Sequence, residues 1–157
     1  MVEISQPVIE VEATIDPCPL PLEVDFREYS DLTDELWTNV RGYCQSIQEK
    51  CLNEYTNLDI NLVAAVMMKE SKGDPNAVSE SDAIGLMQII PMQGRISRNE
   101  LFDPKSNIHE GCKILSRYIT DNGSTLNGLW AYFGKDSLYS DYADPVMDMV
   151  EDIERSY

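Results

Sequence analysis

Histidine occurs once in the 157 residues, at His109, and no pair of further ligands stands near it. No metal centre is therefore expected. Bases are scarce as well: 12 Lys and Arg face 28 Asp and Glu, a net charge of -16. With no basic stripe to neutralise phosphates, nucleic acid is excluded as a partner. Long apolar runs are missing too, so no membrane span is expected. The start, Met1-Val2-Glu3-Ile4-Ser5, has neither a basic cluster nor an apolar stretch, and so does not read as a secretory signal.

What is present suffices for one domain: 43% of residues are apolar, enough to bury a core. Acidity is concentrated at the front, where residues 1–60 hold 13 acids against 3 bases and 61–157 hold 15 against 9. Pro7, Pro17, Pro19 and Pro21, with β-prone runs such as Val8 to Val11, mark residues 1–30 as an extended or flexible acidic arm. Residues 31–157 are expected to form an all-α domain. A first helix is predicted from about Thr33 to Glu54, with Leu36, Val40, Tyr43, Ile47 and Cys51 at helical spacing. A central helix follows from Ile60 to Ser71 with Asp59 as its cap. Asn107 with Glu110 reads as a capping box opening a helix to Thr120 that Asn122-Gly123 ends, and His109 as a surface residue in its first turn. Short helices from Leu126 to Phe133 and from Pro145, capped by Asp144, complete the set.

The four cysteines leave alternatives open. Cys44 and Cys51 lie about 10 Å apart along a helix, too far to bridge. Cys18 falls in the lead and Cys112 on an apolar helix face. Buried free thiols are the expectation; one bridge between a cysteine of the first helix and Cys112 is the alternative.

Glu70 is the most informative residue. It closes the apolar run Leu62-Val-Ala-Ala-Val-Met-Met68 on the same helix face as Leu62 and Val66. Desolvation and the helix C-terminal dipole both raise its pKa, which keeps a general acid protonated near neutral pH. The bland alternative is a solvated carboxylate paired with Lys69 or Lys72.

Downstream stand Glu70-Ser71, Pro75 to Ser79, Ala83-Ile-Gly85-Leu-Met-Gln88-Ile-Ile-Pro91, Asp103-Pro104, Asn107-Ile108 with Gly111, and Ala131-Tyr132. In order and spacing, from about Asp59 to Ile153, these blocks resemble the catalytic domain of the soluble lytic transglycosylase family, within the lysozyme superfamily. The resemblance implies a lysozyme-like fold that cuts the peptidoglycan glycosidic bond between MurNAc and GlcNAc and leaves 1,6-anhydroMurNAc. Glu70 would be the single catalytic acid/base, needing no metal or organic cofactor, and Gly85, Leu86, Met87, Gln88 and Tyr132 would line the sugar groove; Ser71 is a further candidate for substrate contact. A hydrolytic muramidase and a catalytically silent wall-binding protein are the alternatives. Action at the bacterial cell wall is implied. Without a signal, delivery by a larger assembly such as a bacteriophage virion is the expectation.

Several of these residues also have structural readings. Ser71 can support the turn after the helix, Gly85 can supply a positive φ, and Asn107 can be only a cap. A buried Tyr132 hydroxyl needs a partner, for which Glu70 or a substrate acetamido group is the expectation. Two positions depart from the family pattern. Phe133 replaces the usual asparagine after Ala-Tyr, and Asp82 stands where glycine is common. Asp82 reads as a turn residue or as a second carboxylate.

Overall fold

The computed structural model describes residues 2, 5–8, 16–92, 95–134 and 139–157, with the backbone alone for 139–142. Its helices are α1 (Asp34–Arg41), α2 (Cys44–Ile47), α3 (Ile60–Glu70), α4 (Arg98–Leu101), α5 (Pro104–Asn122), α6 (Thr125–Phe133) and α7 (Tyr139–Glu154). Among the described residues no strand forms, only isolated bridges joining Val78 to Ile84, Ile84 to Ile89 and Met92 to Ile96. The domain is all-helical, as expected. None of the described helices is long and apolar enough to cross a membrane.

Helix α3 is the axis of the core. Asp59, in an extended conformation, accepts from the Leu62 amide at 2.9 Å and so caps the helix. Every residue from Leu62 to Met68 is buried, as befits a helix apolar on all sides. α1, α2 and α7 pack against it, while α5 packs on α6 and on the segment after α2.

Three helix boundaries differ from expectation. The first helix is broken: α1 ends at Arg41, Gly42 and Tyr43 make a tight turn in which the Tyr43 amide reaches the Val40 carbonyl at 3.0 Å, and α2 passes into a π turn over Gln48–Leu52. Gly42, a poor helix former, sits at the break. α5 begins three residues before Asn107, because Asp103 accepts from the Ser106 amide at 2.9 Å and Pro104 occupies the first turn. His109 thus falls in the second turn, where it faces Glu54 at 3.2 Å. α7 starts at Tyr139 and contains Pro145, so Asp144 is not its cap. Burial of Ala143, Val146 and Met149 in the core offsets the roughly 3 kcal/mol that an interior proline costs.

The cysteines are not free. Cys18 is bonded to Cys44 and Cys51 to Cys112, with Cα atoms 5.8 and 5.7 Å apart. The bridge to Cys112 is the alternative pairing; that of Cys18 appears only once the lead is seen lying on α1 and α2. In the chain-entropy account each bond stabilises the fold by about 3–4 kcal/mol.

Between Asp16 and Leu32 the lead carries no helix, yet Leu20, Val24 and Phe26 are buried. The Trp37 indole donates to the Pro21 carbonyl at 2.9 Å, Arg41 Nε donates to the Leu20 carbonyl at 3.1 Å, and Phe26 meets Trp37 edge-on at 5.8 Å. Of the β-prone run at 8–11, residues 9–11 lie outside the described residues.

Candidate active site

Glu70 is the last residue of α3 and is half-buried. None of the hydrogen bonds or ion pairs among the described residues involves its carboxyl group. Lys72, one of the two bases considered as its partner, instead pairs with Asp31 at 3.0 Å. Burial pushes the Glu70 carboxyl up to about 8, with the charge of Lys69 opposing the shift. An acid so placed holds its proton at neutral pH and can donate it.

Facing the end of α3 is a closed turn. The Ile84 amide donates to the Ile89 carbonyl at 2.9 Å and the Ile89 amide returns to the Ile84 carbonyl at 3.0 Å. Two of its residues have positive φ, Gly85 at 76° and Gln88 at 52°. Gly85 is required twice over. It has a left-handed backbone, and a Cβ there would lie 2.4 Å from Asn107 Nδ2 and 2.8 Å from the Leu101 carbonyl.

Side chains from three parts of the chain pin this turn. Ser71, directly after Glu70, donates its hydroxyl to the Leu86 carbonyl at 2.8 Å. Asn107 of α5 is buried; its Oδ1 accepts from the Met87 amide at 2.8 Å, and its Nδ2 donates to the carbonyls of Ile84 at 2.8 Å and Leu101 at 2.9 Å. Tyr132 of α6 donates its hydroxyl to the Met87 carbonyl at 2.7 Å. Asn107 is therefore a core staple, and the capping role expected of it belongs to Asp103. The partner of Tyr132 is likewise neither Glu70 nor open groove. Burial, with the charge of Glu70 second, raises its phenol well above the ordinary value.

The remaining candidates separate. Leu86 and Met87 are fully buried, and their carbonyls are taken by Ser71 and Tyr132. Gln88 is partly exposed and spends its Nε2 on the carbonyls of Gly85 at 3.0 Å and Ala77 at 3.2 Å. Its Oε1 makes no hydrogen bond among the described residues. Phe133 stacks edge-on against Tyr132 at 5.6 Å. Asp82 is an exposed turn residue with φ 63°, paired with Arg98. The positive φ accounts for glycine being common there in the family that the motifs resemble. A hollow of about 850 Å³ is lined by Leu36, Asn39, Tyr43, Ser71, Lys72 and Asp74 among others and does not include Glu70.

Sequence reasoning missed the cap at Asp103, although the pair Asp103-Pro104 is itself a helix-start signal. It also missed Ala77, whose carbonyl receives the Gly85 amide at 2.8 Å as well as Gln88. A backbone role of that kind leaves no mark on residue type.

A helical domain whose central helix ends in a half-buried acid, unpaired among the described residues and facing a glycine turn, is of the lysozyme-like class. The Transglycosylase SLT domain family matches residues 49–137, more than half of the chain, and the chain belongs to that family. It is 37% identical over 79 residues to the Transglycosylase of Enterobacteria phage PRD1, covering 50% of this chain and 30% of the relative. To Membrane-bound lytic murein transglycosylase E of Buchnera aphidicola it is 41% identical over 76 residues, 41% of this chain and 34% of the relative. With Membrane-bound lytic murein transglycosylase C of Salmonella typhi it shares 41% identity over 71 residues, 38% of this chain and 20% of the relative. The chain thus spans between a fifth and a third of the length of these relatives.

Proposed function

We propose that this domain is a peptidoglycan lytic transglycosylase with Glu70 as its single catalytic residue. The observation that carries the reading is the carboxyl group at the end of α3, raised to about 8 by burial, with no second carboxylate bonded to it among the described residues. Glu70 protonates the oxygen between MurNAc and GlcNAc, and the substrate's 2-acetamido group stabilises the cation that develops at C1. The resulting carboxylate takes the proton of the C6 hydroxyl, which attacks C1 and closes the 1,6-anhydro ring. One group serves as acid and then as base. Asp82, turned to Arg98 at the surface, takes no part. The Oε1 of Gln88 contacts the sugar, and Gly85, packed against Asn107 and Leu101, shapes the turn that carries it. Ser71, Leu86, Met87, Asn107 and Tyr132 hold that turn.

Clearing of purified peptidoglycan by the parent and by Glu70→Gln tests this. The variant should fold and lose roughly 10²–10⁴-fold in rate. An equally active variant would move the acid elsewhere. We further propose that a bacteriophage particle carries the domain to the wall, a reading supported by the PRD1 relative. Mass spectrometry of purified particles tests it: the protein found free in infected cells and absent from particles contradicts carriage.

A further inference from the structure

We propose that the Cys51–Cys112 disulfide is a positioning element of the active site, so that the turn facing Glu70 keeps its working geometry only in the oxidised chain. The proposal rests on the reading of Glu70 as the catalytic acid. Cys51 lies in the π turn after α2 and Cys112 in the middle of α5, both fully buried. Cys112 follows Gly111, whose lack of a side chain lets α5 press on the turn: a Cβ there would lie 2.6 Å from Met87 Sδ and 2.7 Å from Met87 Cβ. One helical turn earlier, Asn107 holds the Met87 amide and the Ile84 carbonyl. The same short stretch of α5 is therefore bonded covalently on one side and carries the turn on the other.

Reduction breaks the bond between the two sulfurs and adds two electrons and two protons from a dithiol, which leaves as its own disulfide. Two thiols do not stay at bonding distance, and a close-packed core passes their separation on to α5 and its contacts. A displacement of about 1 Å at a catalytic constellation costs on the order of 10²-fold in rate. Cys18–Cys44 ties the lead to α2, which carries none of the side chains that pin the turn, so it serves as an internal control. In a reducing cytoplasm the chain is latent, and cutting begins where disulfides persist.

The test compares the full chain with Cys51→Ala/Cys112→Ala and Cys18→Ala/Cys44→Ala, reading peptidoglycan clearing, amide exchange at Met87 and Ile89, and far-UV circular dichroism. The first pair should lose about tenfold or more in kcat, with faster exchange at both amides and unchanged helix content. The second pair should retain at least about a third of the rate, as expected of a group remote from the site. Native kcat and native protection in Cys51→Ala/Cys112→Ala would overturn the proposal. So would loss of its helix content, because the bond would then serve global stability. If the oxidised parent fails to clear peptidoglycan, the proposed activity falls, while the exchange contrast between the two pairs still decides whether the bond positions the turn.

Discussion

Ser71 and Leu86 join the acid to the turn: the hydroxyl one residue beyond Glu70 donates to the Leu86 carbonyl at 2.8 Å, and the same oxygen accepts from the Gly73 amide at 3.2 Å. One buried hydroxyl thereby links the end of α3 to the backbone that faces it. Ser71→Ala should destabilise the fold by about 1–3 kcal/mol, the cost of leaving buried groups unsatisfied. The shift in urea midpoint at constant slope measures this, and an unchanged midpoint would show the bond to be dispensable.

Asn107 gives a larger effect. Asn107→Leu leaves the Met87 amide and the Leu101 carbonyl without that partner and takes one of two donors from the Ile84 carbonyl, in a fully packed site, for a loss of about 3 kcal/mol or more. Asn107→Asp keeps the acceptor for Met87 and loses the donors, so it should fall between leucine and the parent. Equilibrium unfolding of the three proteins checks the order.

Asp82→Gly should be close to neutral. Relief of a left-handed backbone contributes roughly 1 kcal/mol, and the exposed pair with Arg98 removes about 0–1 kcal/mol. At least about a third of the activity should remain, with unchanged products. A switch of product ends in this variant would give Asp82 a catalytic role.

Glu70 makes stability depend on pH in a defined direction. Its folded pKa, about 8, lies above the ordinary 4.5, so the folded state holds the proton that the unfolded state releases. Stability is then fully present below about 4.5 and is lost as pH rises toward about 8, at up to roughly 1.4 kcal/mol per pH unit. Glu70→Gln should remove this slope, leaving the variant more stable than the parent above about pH 8. The catalytic rate should fall over the same alkaline range as the acid loses its proton. Denaturant midpoints of both proteins across pH 4–9 check the first claim and rate profiles of the parent the second.

The helices were legible where local chemistry decides them. Asp59 announces α3, Asn122-Gly123 ends α5, and Glu70 stands out because a carboxylate shares a helix face with the apolar run Leu62 to Met68. Non-local chemistry was not legible. The break at Gly42, the continuation of α7 through Pro145 and the pairing of Cys18 with Cys44 all depend on what packs against those residues. Gly85 could be read as a positive-φ position, but Leu86 and Met87, placed in the groove by resemblance, have side chains in the core. Polar residues expected to meet ligand, Ser71 and Tyr132, bind carbonyls of the turn, because a turn closed on itself leaves its own backbone groups to be satisfied.

The central claim is that one buried acid cuts the glycan and hands the C6 hydroxyl, not water, to C1. Digesting purified peptidoglycan with the oxidised parent and with Glu70→Gln, then weighing the released muropeptides, tests it most directly. The account predicts ends lighter by one water from the parent and almost no release from the variant. Water-added reducing ends from the parent, or release by the variant above about a tenth of the parent's, would contradict it.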